Sequence, residues 1–434
     1  MHEINCYVHY YFVPYRLLWD EWETFITRGV DGDTTPAIPE WTPTNKAKGS
    51  LWDYFAFPTT ITPTGSLPNT FPMNAYNFIY NEYYRNQNLQ SEISLTNEDV
   101  KLRNWELDYL TSALPFQQRG TPPALPVSGT SSAVFPTSSF VNGTVAGVSP
   151  VTSQLGVNSH IYSNNANSRD NMELVFNDNT VDLSGATTVD ITDLRLAFQL
   201  QVWMERNARA GVRYIEFLRA HYKVAPRDER LDRPEYIGGH KAPVIISEVL
   251  QTSSTDVVTP QGNMAGHGLT VGSGNIGNYA VEEFGLIMGI MSVMPRTSYQ
   301  NGVNKNFVRP TNYDYFSPEF TLLSEQAVLN SEVMAKDGDP TYNQTIFGYQ
   351  GRYNEMRTNY NTVCGDMRDL FDYWHLGRQF TPGSPPSLND DFIKCDVRKD
   401  IFAVPSEPGL IVDQGNIIKA SRPLPTEGIP GGFS

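Results

Sequence analysis

INCYVHYYFVPYRLLWDEWETF, residues Ile4 to Phe25, sets two kinds of periodicity side by side. Ile4 to Val13 is β-branched and aromatic, the composition of a strand on a pleated, buried surface. Pro14 removes a backbone donor and ends that run. Beyond it Tyr15, Leu18, Trp19, Trp22, Phe25 and Ile26 return at helical spacing. Asp20, Glu21 and Glu23 lie on the opposite side, and Gly29 supplies a C-terminal cap. The whole reads as a strand followed by a short amphipathic helix packed on a sheet.

Outward from this segment, strands outnumber helices. Residues 30–72 are rich in Pro, Thr and Gly and read as an extended excursion. NAYNFIYNEYYRNQN (Asn74 to Asn88) then places Tyr76, Ile79, Tyr80, Tyr83 and Tyr84 along a helix, an aromatic stripe suited to core or subunit contact. From 120 to 188 Ser, Thr, Gly, Asn, Val and Pro dominate, and Arg169 is the only Lys or Arg. Apolar anchors such as Phe135, Phe140, Val157 and Leu174 recur between turns there, so the stretch reads as a folded, loop-rich insertion with short strands. Helical periodicity returns from Asp190 to Tyr222, with Leu196, Leu200, Trp203 and Met204 on one stripe and a break at Gly211. The remainder alternates strand candidates (Val244 to Leu250, Glu283 to Met294, Phe320 to Leu323, Ile401 to Val404) with turn clusters. Long-separated strands, few helices and big loops predict an antiparallel sandwich.

Only 18% of the 434 residues are charged while 12% are aromatic, against about 25% charged in an ordinary soluble protein. Interface cores are depleted of charge and enriched in Tyr, Trp, Phe and Met, so this balance predicts burial of several faces against other subunits. The net charge of −15 argues against a chain that condenses nucleic acid alone, because phosphate affinity comes from Lys and Arg. Another component must supply positive charge if DNA is enclosed. Cys6, Cys364 and Cys395 are odd in number and far apart, which argues against a disulfide framework and fits a reducing compartment. The apolar run Phe284 to Met294 is too short to cross a bilayer, and no secretory leader is evident at the N-terminus.

Motifs for catalysis, cofactors or metals resolve into turns. The seven histidines (His2, His9, His160, His221, His240, His267, His375) form no H-x-x-x-H pair and have no cysteine cluster beside them. Gly272, Gly274 and Gly277 spell G-x-G-x-x-G, but a strand-like run follows where a dinucleotide site needs a helix, so they read as a flexible glycine loop. Asp31-Gly32-Asp33 and Asp337-Gly338-Asp339 lack the spacing of a calcium loop and read as turns. No catalytic, cofactor or metal residue is assigned.

Between Arg206 and Lys241 stand Arg206, Arg209, Arg213, Arg219, Lys223, Arg227, Arg230, Arg233 and Lys241, interleaved with Tyr214, Tyr222 and Tyr236. Such a mixture can hold single-stranded DNA through phosphates and stacked bases. Arg206, Arg209, Arg213, Arg219, Lys223 and Arg227 are the candidate genome contacts. Glu205, Glu216, Asp228, Glu229, Asp232 and Glu235 lie among them, and ion pairing is the commoner reading of the stretch.

Several strings together resemble the gokushovirus branch of microvirus major capsid proteins over essentially the whole chain. They are YYFVPYRLLWDEWETF (Tyr10 to Phe25), NAYNFIYNEYYRNQN, RNWELDYLTSALPFQQRG (Arg103 to Gly120), RYIEFLRAHYKVAPRDERLDRPEYIGG (Arg213 to Gly239), QTSSTD (Gln251 to Asp256), EQAVLNSEV (Glu325 to Val333), FGYQGRYNEMR (Phe347 to Arg357) and LNDDFI (Leu388 to Ile393). The resemblance implies a mainly β fold, an eight-stranded antiparallel viral jelly roll with long loop insertions containing a few α-helices. It implies that residues 1–434 form one capsid domain, with 120–188 a surface insertion that builds a protrusion at the threefold axes. Val141, Asn142, Tyr162, Asn164, Asn165 and Arg169 are the candidate host-attachment residues of that insertion.

The implied partners are copies of the chain, in pentamers and a T=1 icosahedral shell, a small basic DNA-binding internal protein, a circular single-stranded DNA genome and a host surface receptor. The resemblance implies neither cofactor nor membrane insertion, and it implies assembly in the bacterial host cytoplasm. Family members carry several dozen residues, including the first jelly-roll strand, ahead of the segment that begins here at Met1, so the family's N-terminal contacts are not carried over. A secreted or cell-surface jelly-roll carbohydrate-binding protein or glycosidase is the rival reading, since one architecture serves both.

Overall fold

The structure is a computed structural model that describes residues 2–123, 191–250, 264–402 and 404–422. Its main sheet is built around Ile4–Pro14 (β1), which pairs antiparallel with Glu235–Leu250 (β2) on one side and Gly285–Pro295 (β4) on the other. Met264–Leu269 (β3) pairs with the far half of β2, giving the order β3-β2-β1-β4. Alternation along β1 sends Tyr7, His9, Tyr11 and Val13 to one face and Val8, Tyr10 and Phe12 to the other. A bulge between Tyr10 and Tyr11 shifts the register against β2, which increases local twist.

The odd-numbered face is covered by Phe71–Ile79 (α3), preceded in the chain by the short helices Trp22–Thr27 (α1) and Leu51–Tyr54 (α2). Tyr11, Val13, Leu18, Phe71, Ala75, Ile79 and Met288 form one buried cluster there. The expected single helix through Tyr15 to Ile26 is divided into a 3-10 turn at Tyr15–Leu17 and α1. The division lets the Tyr15 ring pack edge-on against Trp22 and tilted against Phe71, each at 4.8 Å between ring centres. The expected helix after Asn74 likewise changes character, because α3 runs on as a π-helical turn, Tyr80–Tyr84. This wider turn brings neighbouring side chains under β1 together: Tyr83 lies 4.8 Å from Tyr11, and the Tyr84 hydroxyl is 2.7 Å from His9 Nδ1.

The break expected at Gly211 is present. Ile191–Ala210 (α4) stops at Gly211, whose φ of +109° suits glycine, and Tyr214–Tyr222 (α5) begins after it. Other strands form two small pairs, Glu325–Leu329 (β6) antiparallel with Ile346–Gly351 (β7), and Ser298–Tyr299 (β5) parallel with Asn361–Thr362 (β8). The described residues thus contain eight strands, but in three sheets and with one parallel pair. Two strand expectations do not hold. Phe320 to Leu322 falls in a 3-10 helix that opens on Pro318, with Leu323 just after its end, and Ile401 and Phe402 stand in a turn. The proline removes a ladder donor, and neither run alternates long enough to hold an edge.

The chain divides into two units, Met1–Gln117 with Ala208–Ser434, and Gln118–Asn207. In the smaller one, Arg119 Nε donates to the Asn207 carbonyl at 3.2 Å and Gln201 to Glu205 at 2.7 Å. In the larger one, Trp41 and Trp52 form a buried aromatic corner with Leu51 and Met73, and Glu98 ties the neighbouring loop to it. Its carboxylate accepts from Trp41 Nε1 at 3.0 Å, from Thr44 N and Oγ1 at 2.8 and 2.7 Å, and from Asn45 N at 3.0 Å. Burial opposes its charge, but these bonds together hold its pKa below the usual carboxylate value. The stabilisation is therefore complete above the unfolded value of about 4.3 and is lost as pH falls through the lower folded one. Glu98→Gln is expected to cost about 1–2 kcal/mol at pH 7, since the site is partly open to solvent. Its urea midpoint should vary less than that of the parent between pH 5 and 3; an identical acid dependence would show that Glu98 contributes nothing.

Candidate subunit-contact and nucleic-acid surfaces

The cations of the 206–241 stretch separate into a bound set and an open set. Arg209 pairs with Glu325. Arg213 donates to the Arg85 carbonyl at 3.3 Å and lies 3.7 Å from Glu82 and 3.5 Å from Glu216. Arg233 is buried between Glu82 and Asp228 at 3.7 and 3.4 Å, its guanidinium over the Tyr83 ring. Arg209 ties the end of α4 to Glu325, while Arg213 and Arg233 fasten α5 and the start of β2 to the π-helical turn, so the ion-pairing expectation holds for all three.

Arg219, Lys223 and Arg227 are exposed, and none forms an ion pair among the described residues. α5 ends at Tyr222, and Lys223, with a left-handed φ of +60°, terminates the helix. Exposed Tyr214 and Tyr222 flank them. Arg230, in the short 3-10 turn Glu229–Leu231, is exposed as well; its signal in the sequence was its place in the same basic stretch. Arg206 is exposed in the smaller unit. The open residues have the chemistry to neutralise phosphates and to stack bases. Val141, Asn142, Tyr162, Asn164, Asn165 and Arg169 lie outside the described residues, as does QTSSTD.

The glycine loop has a packing role. It lies across the even-numbered face of the sheet, where a Cβ on Gly274 would stand 2.5 Å from the His240 ring and one on Gly272 2.7 Å from it. Glycine is required there by close approach to a side chain, with no helix following. The other described histidines are also engaged. His2 contacts the Arg296 carbonyl at 2.6 Å, His267 contacts Ser247 at 3.1 Å, and His375 contacts the Met367 carbonyl at 2.7 Å and accepts from Gly377 N at 2.9 Å. His221 stacks on Phe217. Among the described residues no group of three or more His, Cys, Asp or Glu could hold a metal ion, and no helix is long and apolar enough to cross a membrane. Gly32 and Gly338 sit in left-handed turns, and Asp339 caps the following helix through Tyr342 N at 2.9 Å. Cys6, Cys364 and Cys395 are unpaired, and burial pushes the Cys395 thiol up to about 12.

Large apolar side chains stand outside. Phe307, Leu322, Ile411 and Ile417 are each at least 85% exposed, and α4 leaves Leu196, Phe198 and Trp203 open. Such surface is the chemistry of protein contact rather than of turnover.

The family described as Capsid protein (F protein) matches residues 1–432 of the chain. The chain is 31% identical to Capsid protein VP1 of Chlamydia phage 1, over 99% of its own length and 87% of that protein's. It is 34% identical to Capsid protein VP1 of Bdellovibrio phage phiMH2K, over 98% and 85% of the two chains. With Capsid protein VP1 of Spiroplasma virus 4 the identity is 30%, over 96% and 84%.

Proposed function

Because the chain belongs to the phage capsid protein (F protein) family, we propose that it forms an eight-stranded antiparallel jelly roll whose copies close, through pentamers, into a T=1 icosahedral shell. It is a major capsid protein of the microvirus type, a structural component of the virion of a single-stranded-DNA phage and not an enzyme. The match from residue 1 to residue 432 carries this reading. The exposed apolar residues and the low charge support it, because a closed cage repeats heterologous contacts that need such surface. The rival sugar-binding reading lacks any comparable observation. Electron microscopy of the purified chain is expected to show uniform shells; monomers that bind oligosaccharide would overturn the reading.

Within the shell, Arg219, Lys223 and Arg227 touch the circular genome, Arg206 is a separate candidate contact on the smaller unit, and Arg209 and Arg213 serve the fold. The small excess of open cations cannot neutralise a packaged genome in a chain of net charge −15, so a small basic internal protein completes the balance. Residues 120–188 form the outward threefold insertion, with Val141, Asn142, Tyr162, Asn164, Asn165 and Arg169 facing a host receptor; the family resemblance and the low charge of the stretch support this reading. Deleting Val141 to Asp170 is expected to leave shell yield unchanged and to reduce binding of the shells to host cells. Loss of shells from a folded subunit would count against the assignment.

A further inference from the structure

β1 pairs only with the Glu235–Val244 half of β2. The other half, Ile245–Leu250, pairs with β3 alone, over six residue pairs. Past Ile4 the sheet therefore narrows to a two-stranded ribbon that runs on for about 20 Å. An isolated two-stranded ribbon is at best marginally stable in water. This one exposes Ile245 at 70% and Leu269 at 61%, with Ser247, Gly266, His267 and Gly268 also open.

Two further features say what covers it. Edge strands that face solvent are ordinarily guarded by Lys, Pro or a bulge, and MAGHGL, the whole of β3, has none of these in its sequence or its register. In addition, a chain of net charge −15 has no Asp, Glu, Lys or Arg from Met264 to Val281, nor from Ala242 to Ser247. Copies that repel through their acidic surfaces meet most easily where charge is absent, and interface cores are depleted of charge for that reason.

We propose that the β2–β3 ribbon is a lateral contact of the shell, with its β3 edge and the side chains of Ile245 and Leu269 covered by a second copy of this chain. The proposal rests on the capsid reading, which supplies the neighbour. Twelve residues are fewer than the roughly 20–30 per side of a standard interface, so the ribbon is one part of a larger contact.

Gly266→Lys tests it. A Cβ at Gly266 meets only Ile246 Cγ2 at 3.7 Å and Ser247 O at 3.8 Å, so the subunit accommodates the side chain while the edge acquires a charge. Wild-type chain and variant are compared by circular dichroism and by electron microscopy. The variant is expected to keep its fold and to lose more than about tenfold in shell yield, each weakened pairing being repeated around the cage. Shells from both chains would overturn the ribbon contact alone; absence of shells from the unaltered chain would overturn the proposal that the chain closes into a shell by itself, and this contact with it. Maleimide labelling of Ser247→Cys gives a second reading that does not depend on the lysine. Protection in shells relative to dissociated subunits is expected, and equal labelling rates would refute the contact.

Discussion

Replacing Arg219, Lys223 and Arg227 together by glutamine is expected to weaken binding of a single-stranded oligonucleotide on the order of 100-fold at 0.1 M salt. Each phosphate contact on a single strand contributes a salt slope of about −0.7, or about fivefold at this ionic strength, so three contacts account for the loss. The slope of log affinity against log salt should become about 2 units shallower. Fluorescence anisotropy with a labelled oligonucleotide measures both. Because none of the three forms an ion pair among the described residues, the unfolding transition should move little. Arg213→Gln provides the contrast, since it removes the pairing with Glu82 and Glu216 and is expected to lower stability while leaving the salt slope alone. An unchanged slope in the triple variant would remove this ridge from the genome surface.

Which cations were open could not be read from their own neighbourhood. Arg209 pairs with Glu325, more than 100 positions away, and Arg233 with the distant Glu82 as well as the nearby Asp228, whereas Asp228, adjacent in sequence to Arg227, leaves that residue unpaired. Local signals were more faithful. β1 follows from its β-branched and aromatic run, and the α4–α5 break from Gly211. The division of Tyr15 to Ile26 and the π-helical turn after Ile79 were not legible, because both are imposed by rings that arrive from elsewhere, Phe71 in one case and the tyrosines of β1 in the other. Pairing suffered most. β1 finds its partners more than 200 residues later, and no periodicity within a strand names its neighbour.

The same distance effect makes Glu332 the most consequential polar residue that pattern alone does not reveal. It is 2% exposed, at the start of the helix that follows β6. Its carboxylate accepts from Tyr109 at 3.1 Å and from Leu329 N at 2.9 Å, and lies 3.4 Å from Lys305 Nζ. Burial raises its pKa, the attraction of Lys305 acting against that rise. A carboxyl raised in the folded state costs stability as pH climbs from the unfolded value toward the folded one, and the cost is constant above it. Glu332→Ala removes that cost but leaves the Tyr109 phenol and the Leu329 N–H without this acceptor and takes the carboxylate from Lys305, which keeps the Ala327 carbonyl, beside the core of Tyr299, Val328 and Tyr360. The second effect is larger, so a loss of about 3–5 kcal/mol at pH 7 is expected by urea unfolding. Glu332→Gln, which keeps the acceptor and loses the charge, should lose less than the alanine variant. Equal losses for both would show that the carboxylate's charge, rather than its hydrogen bonds, holds the cluster together.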